Sequence, residues 1–385
     1  MGGYFLGIPA MRIGVPRETR PGETRVAATA ETVKKLAGSG KHEVVVESGA
    51  GLRSAVTDAD FQAAGARIGT AQDTLGADLV LKVRMPTEGE MPQLKRGALL
   101  IGLLNPFDAT GLQALANAGV TGFALEALPR ITRAQSMDVL SSQANIAGYK
   151  AVIIAADEYG KFVPMLMTAA GTVKAARVLV LGVGVAGLQA IATAKRLGAV
   201  IEASDVRPSV KDQVESLGAK WVDVPYETDE EKQIAEGVGG YARPMPPAWM
   251  QRQAGIIAER AKQMDIVITT ALIPGRPAPK LIKAETVAAM KAGSVLVDLA
   301  VEQGGNVEGS QLDKIATTPN GVKLVGLTNL PAMVATDASA LYARNVLNFL
   351  ALSLNVKSGE FTLARDDEIV KATLVCDNGA VVPRG

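Results

Sequence analysis

The run Gly182-Val183-Gly184-Val185-Ala186-Gly187 carries the most specific chemistry in the sequence. It follows an apolar run, 178–181, and opens a helical stretch, 186–197. That order turns backbone amides and a helix N-terminus toward a pyrophosphate. Gly182 would make the tight turn, Gly184 would let the phosphate approach the backbone, and Gly187 would let the helix pack closely on the strand. Lys195 and Arg196, with Gly198 just beyond, mark the helix end. Asp205 closes the next strand pattern, 199–204. A carboxylate there accepts both hydroxyls of an adenine ribose and repels a 2′-phosphate, so NAD(H) is expected in preference to NADP(H). Val206 and Arg207 follow, and a guanidinium at 207 can accommodate a 2′-phosphate, stack on adenine or stay in water. Thr270 stands at the carboxyl end of another strand pattern, the edge at which nucleotides bind in such sheets.

A second polar constellation lies in 129–149. Gln135, Asp138, Ser142 and Asn145 fall at helical spacing, Met137, Leu140, Ala144 and Ala147 occupy the other face, and Arg130 and Arg133 stand at the start. A solvated face with an Arg to Asp pair and a polar lining at a seam between domains both fit this pattern. Thr132 and Gln135 have the spacing of a capping box, which predicts a long connecting helix over 132–161. Oxidising an alcohol or amine needs a base as well as a hydride acceptor. The one histidine, His42, opens an apolar strand pattern and reads as a surface or strand-edge residue. No His and Cys cluster has metal-ligand spacing, so no metal is expected. A site that moves a hydride here must manage without imidazole. The stretch 225–247 shows no helical pattern, contains Gly237, Gly239, Gly240 and Tyr241, and is expected to form a mobile lid.

Two series of elements must position these groups. Five strand patterns alternate with helical stretches between residues 12 and 127, and six more between 177 and 327, including a helical stretch at 281–290. The expected fold is α/β, two parallel-sheet Rossmann-like domains joined by a long helix with a cofactor cleft between them. The expected domains are 1–135 completed by 333–385, where a helical stretch 337–354 and a β-branched tail lie, and 136–332. With 385 residues the chain can bury two cores, and 40 basic against 39 acidic residues give +1, which argues against nucleic-acid binding. A single cysteine excludes an intrachain disulfide framework and agrees with a reducing compartment. The 17 uncharged residues 178–194 fall short of the ~20 needed to span a bilayer. Residues 1–10 lack a signal-peptide pattern and read as a short extension.

Taken together, 11–33, 129–149, 182–199, 239–242, 269–282 and 290–306 resemble the NAD(H)-binding component of proton-translocating nicotinamide nucleotide transhydrogenases, with 129–149 the most specific segment. The others are shared in part with the related alanine dehydrogenases. Those enzymes carry a Lys-Val-Lys-Glu-Pro pattern and a His-Leu-Ala turn that supply a catalytic lysine and histidine. Here the stretches read Lys82-Val83-Arg84-Met85-Pro86 and Leu104-Asn105-Pro106.

The resemblance implies a component of a Re/Si-specific enzyme that binds NADH and passes hydride to NADP⁺ held by a partner, while a membrane domain couples transfer to proton movement. It places Arg130, Gln135, Asp138 and Ser141 around the nicotinamide, with Ile131, Thr132, Ser136 and Met137 beside them. The glycine turn, Asp205 to Arg207, Gly240 and Thr270 would contact the rest of NAD(H), and Tyr241 would close the loop. The stretch Arg243-Pro244-Met245-Pro246-Pro247 departs from the more usual polar sequence. The resemblance further implies a homodimer, and a cytoplasmic chain held at the inner face of the membrane through its partners. Many family members continue into membrane helices, so a chain ending at Gly385 is expected to be a separate subunit or an excised piece. An alanine-type amino-acid dehydrogenase and a non-catalytic NAD(H)-sensing module remain as alternatives.

Overall fold

Strands Arg177–Leu181, Ile266–Thr269 and Val295–Asp298 are apolar almost throughout and buried almost throughout, as strands covered on both faces must be. The computed structural model describes residues 10–235, 245–272 and 275–383. It divides into two units, Met1–Gln143 with Pro331–Gly385, and Ala144–Leu330.

In the first unit an eight-stranded sheet runs in the order Ala380–Val381, Leu374–Asp377, Thr121–Ala124, Leu99–Leu103, Leu79–Arg84, Arg12–Val15, Glu43–Glu47, Arg67–Gly69. The last six strands are parallel, and the two from the chain end add antiparallel at the edge. Three of these eight strands, Arg67–Gly69, Leu374–Asp377 and Ala380–Val381, were not among the five expected from the sequence. Helix Ala335–Leu350 buries Tyr342, Val346 and Phe349 in the core that also holds Ile13, Phe61 and Phe123.

In the second unit seven strands lie in the order Lys220–Trp221, Val200–Ser204, Arg177–Leu181, Ile266–Thr269, Val295–Asp298, Lys323–Val325, Ile315–Thr317. The first six are parallel and the seventh, not expected from the sequence, is antiparallel. Both sheets are therefore parallel-dominated and mixed rather than purely parallel. The stretch expected to be helical at 281–290 forms only the short helix Ala284–Ala288.

Three further expectations are corrected. Residues 132–161 are not one helix, because Thr132–Met137 is a 3₁₀ turn and the α-helix is Val139–Tyr159. The capping box at Thr132 does not form. Instead Asp138, with ψ of 91°, breaks the chain, and its carboxylate accepts the Ser141 amide at 2.9 Å and hydroxyl at 2.6 Å, as a preferred capping residue does. The stretch 225–247 contains helix Asp229–Ala235. Its start is fixed by Thr228, whose hydroxyl accepts the Glu231 amide, and by three acidic residues that suit the helix dipole. His42 is buried rather than on the surface, and its Nδ1 accepts the Met11 amide at 3.2 Å.

The charged segment after the first strand is ordered by buried ion pairs. Lys82 contacts Glu18 at 3.4 Å and Glu90 at 3.2 Å. Arg25 grips Glu23 at 2.7 Å and donates to Gln143 at 2.8 Å, and Arg84 reaches Glu23 at 3.2 Å. Burial would raise the Glu23 carboxyl, but hydrogen bonds and charge from Arg25, with Arg84, more than offset it and hold it at about 2. Because the folded value lies below the ordinary 4.5, this carboxylate stabilises the fold above pH 4.5 and loses that contribution as pH falls toward 2. Glu23→Gln, which strands Arg25 in the interior, is expected to cost about 3–5 kcal/mol at pH 7. Urea unfolding across an acid pH series should show that the difference from the parent chain shrinks between pH 4.5 and pH 2.

Candidate functional site

The glycine turn connects Arg177–Leu181 to helix Val185–Arg196. Its Gly182 amide donates to the Ser204 carbonyl at 3.0 Å. The Gly182 carbonyl accepts the Thr270 hydroxyl at 2.7 Å, and the Val183 amide donates to the Asp205 carboxylate at 2.6 Å. The turn is thus pinned to the ends of both neighbouring strands. Gly182 has a φ of 89°, a conformation that glycine adopts without strain.

The other two glycines do different work. A Cβ on Gly187 would lie 2.0 Å from the Gly182 carbonyl oxygen, so only glycine allows this helix to start so close to its strand. A Cβ on Gly184 would meet nothing within 4 Å. Gly184 is the N-cap of the helix with extended backbone, so the space beside it lies where helix amides converge. Val185, exposed, begins the helix, whereas the Val183 side chain is in the core and offers only its backbone. This open cradle at a helix N-terminus, next to an aspartate at the end of the following strand, fits a dinucleotide.

Asp205 accepts from the backbone amide of Arg207 at 2.9 Å and from its guanidinium at 2.9 and 2.8 Å. Val206 packs against the cluster that holds Val224 and Trp249, and the Trp249 ring stacks on Tyr226. Gly240 and Tyr241 lie outside the described residues.

Two residues that support this edge were not singled out from the sequence. Asp298, fully buried, accepts the amides of Ala300, Asn306 and Val307 at 3.0 to 3.1 Å. Asn306, also buried, accepts the Ala271 amide at 3.1 Å and donates to the Ala271 and Pro279 carbonyls. Together they hold the backbone next to Thr270. Their signal was visible, since Asp298 closes an apolar strand run as Asp205 does.

The polar segment belongs to the first unit. Arg130, Thr132, Gln135 and Ser136 are exposed, Ile131, Asp138 and Ser141 are half-buried, and Met137 is in the core. Because the chain breaks at Asp138, Gln135 does not share one helical stripe with Ser142 and Asn145. Arg133 pairs with Asp367 at 2.5 Å and with Glu368 at 3.2 Å rather than with Asp138. The Ser136 carbonyl accepts from Asn345 at 2.8 Å and Asn348 at 3.0 Å, which ties the 3₁₀ turn to helix Ala335–Leu350. At the corresponding edge of this unit, Arg84 is engaged with Glu23, and the Asn105 backbone N–H donates to the Glu126 carboxylate at 2.6 Å. Burial pushes the Glu126 carboxyl up, against hydrogen bonds from its own backbone and from those of Asn105 and Leu104.

A doubly wound unit with this turn defines an NAD(P)-linked, dehydrogenase-type oxidoreductase component. Residues 14–147 match the N-terminal domain and 151–384 the C-terminal domain of the alanine dehydrogenase/PNT family, and the chain belongs to that family. It is 51% identical over 380 residues to an NAD(P) transhydrogenase subunit alpha chain of Rhodospirillum rubrum, covering 97% of this chain and 98% of that one. A crystal structure of transhydrogenase from Sinorhizobium meliloti superimposes with a TM-score of 0.86 at 49% identity, over 96% of this chain and all of that one. The alanine dehydrogenase of Mycobacterium tuberculosis is 34% identical over 309 residues, 78% of this chain and 75% of that one. High-identity relatives are thus transhydrogenase alpha subunits, with alanine dehydrogenases further away.

The two glycines separate packing from binding. Gly187→Ala should destabilise the chain by about 1–3 kcal/mol through overpacking, while Gly184→Ala should cost less, under about 1 kcal/mol, the loss of a glycine N-cap with no clash. Chemical denaturation of both variants checks this, and equal losses would remove the distinction.

Proposed function

We propose that this chain is the NAD(H)-binding part of a proton-translocating transhydrogenase of the Re/Si-specific type, and that it delivers hydride from NADH to NADP⁺ bound on a partner subunit. The observation that carries the reading is that, among the described residues, the histidine and the lysine that could serve as a base are both engaged in the fold. The only histidine in the sequence is buried at the amino-terminal edge of its sheet with one nitrogen taken by a backbone amide, whereas nucleotide sites form at the carboxyl edge. Lys82 is enclosed by Glu18 and Glu90. Hydride passing between two nicotinamide rings releases no proton at the reacting carbons, so such a site loses nothing by lacking a base.

In this reading the amides of the glycine turn and of the Val185–Arg196 helix hold the pyrophosphate, and Asp205, Val206, Arg207 and Thr270 serve the adenosine side. Arg130, Gln135, Asp138 and Ser141, with Ile131, Thr132, Ser136 and Met137 around them, orient the nicotinamide end. Gly240 and Tyr241 belong to the closing loop. The dinucleotide supplies the hydride, and the chain's own contribution is to fix the ring at near-attack distance, roughly 3–3.5 Å from its acceptor, without water. NADP(H) is bound by the partner, and a membrane subunit that couples transfer to protons completes the complex. Among the described residues no helix is long and apolar enough to cross a membrane, and attachment to the cytoplasmic face is assigned to those partners.

The homodimer in this proposal is supported by a hairpin of the second unit. Strands Leu166–Thr168 and Gly171–Val173 pair only with each other, and they and their approach expose Phe162, Met165, Met167 and Val173. An isolated two-stranded ribbon is marginal in water, and this apolar surface is what a second copy would cover. Met167→Asp is therefore expected to shift the sedimentation equilibrium toward monomer by an order of magnitude or more in Kd, since about 1.4 kcal/mol is tenfold. An unchanged association constant would remove the hairpin from the interface.

The function itself is tested with NADH deuterated at C4, NADP⁺ and a purified NADP(H)-binding subunit from a transhydrogenase. Label should appear in NADPH only when both proteins are present. Gln135→Ala should slow transfer on the order of 10- to 100-fold by misplacing the ring, with NADH affinity nearly unchanged. Oxidation of alanine by the chain alone with NAD⁺ would instead establish the dehydrogenase reading. Tight NADH binding without transfer would establish a sensing module.

A further inference from the structure

Asp205 has no acceptor position left for a ribose. A carboxylate offers about four lone-pair sites on its two oxygens. Four donors already point at this one: the Val183 amide at 2.6 Å, the Arg207 amide at 2.9 Å, and Arg207 Nε and Nη2 at 2.9 and 2.8 Å. Oδ1 takes the Arg207 amide and Nε, and Oδ2 takes the Val183 amide and Nη2. The Asp205 side chain is 6% exposed and the Arg207 side chain 19%, so water does not compete strongly for either.

The four donors are not equally replaceable. The Val183 amide belongs to the glycine turn, whose other side is fixed by Thr270 and Ser204, and the Arg207 amide belongs to the chain two residues beyond the carboxylate. Neither can leave without unmaking the turn. The guanidinium is on a flexible stem and supplies two of the four bonds. A ribose presents two hydroxyls.

We propose that Arg207 is a built-in competitor for the adenine-ribose site: its guanidinium occupies the two acceptor positions on Asp205 that the 2′- and 3′-hydroxyls of NAD(H) take when they displace it. The inference rests on the reading that the second unit binds NAD(H), and it assigns Arg207 a role that a simple contact residue does not have. Displacement exchanges a charge-assisted pair for two hydroxyl hydrogen bonds, so the diol adds less to affinity than it would against a free carboxylate. Arg207 thereby sets how strongly the chain distinguishes nucleotides with a ribose diol from those without one. The guanidinium, once released, remains a cation beside Asp205, so the same exchange tempers the repulsion between Asp205 and a 2′-phosphate.

The test is the affinity ratio between ADP and 2′,3′-dideoxy-ADP, measured by titration calorimetry on the full chain and on Arg207→Gln. Taking the ratio within each protein cancels any other contact that Arg207 makes with the nucleotide. Competition predicts that the ratio favouring ADP rises about 2- to 5-fold in Arg207→Gln, the scale of a partly exposed ion pair. Arg207→Lys keeps the charge but loses the fork, and should fall between the two. An unchanged or smaller ratio in Arg207→Gln, with ADP still bound by the parent, would overturn the competitor role while leaving nucleotide binding intact. Failure of the parent to bind either nucleotide would overturn both the underlying reading and this inference. If Arg207→Gln does not fold, the intermediate ratio expected of Arg207→Lys carries the test alone, and a ratio equal to the parent's refutes it.

Discussion

One peptide group holds the carboxyl edge of the second sheet together. The carbonyl of Gly182 accepts from Thr270 and the adjoining N–H of Val183 donates to Asp205, so the peptide between them bridges the ends of both flanking strands. Its plane is rigid, and fixing its two ends fixes the direction in which the chain leaves the strand. The helix then starts where Gly187 can pass under the Gly182 carbonyl, with Gly184 open beside it. Asp298 and Asn306 extend the same restraint to the segment after Thr270. The direction of the helix amides, and with it any capacity to hold phosphate, follows from that one group.

Buried charge pairs organise the loop and strand edge of the first unit. Glu18 accepts the Val83 amide, Arg20 donates to the Met85 carbonyl, and the Tyr342 hydroxyl donates to the Lys82 carbonyl. The loop after the first strand is thereby stitched to the strand Leu79–Arg84, which helix Ala335–Leu350 reaches from its own side. Buried ion pairs of this kind add little net stability compared with apolar packing, but each excludes arrangements that would leave a charge unpaired. They also occupy the lysine and arginine at 82 and 84, so the cations at this edge are structural. Lys82, which could carry a proton, is committed to holding the fold.

The two units therefore divide the demands of the proposed reaction. The second offers a preorganised anion cradle built mainly from backbone, which no titration alters. The first presents exposed polar groups at 130–136 and a capped helix start at Asp138, which the proposal assigns to the nicotinamide end. Orientation is the costly requirement when hydride moves directly between two bound rings, because the reacting atoms must meet in a narrow geometry. A segment tied down through Ser136 to Asn345 and Asn348 meets that requirement better than a free loop.

The strand, glycine turn and helix at 177–196, the aspartate closing the next strand and the alternation of strands with helices were legible in the sequence. All of these depend on residue type and on neighbours a few positions away: a β-branched run, glycines where no Cβ fits, basic residues at a helix end. The helix start at 139 is easily misread because two residues with capping chemistry, Thr132 and Asp138, stand six apart. What favours Asp138 is the packing of Ala134, Met137 and Val139 into a core shared with residues beyond 340. The edge strands Ile315–Thr317 and Ala380–Val381 were hidden because they are largely exposed, so no apolar run marks them. The pairing of Glu23 with Arg84 and of Arg25 with Gln143 joins residues 61 and 118 positions apart, and local pattern carries no information at that range. The sequence by itself determined where a dinucleotide turn must form and that a carboxylate would stand beside it. Only the tertiary structure decided which cations that carboxylate and its buried counterparts would face, because ion pairing is set by proximity in space, and proximity in space is a property of the folded chain.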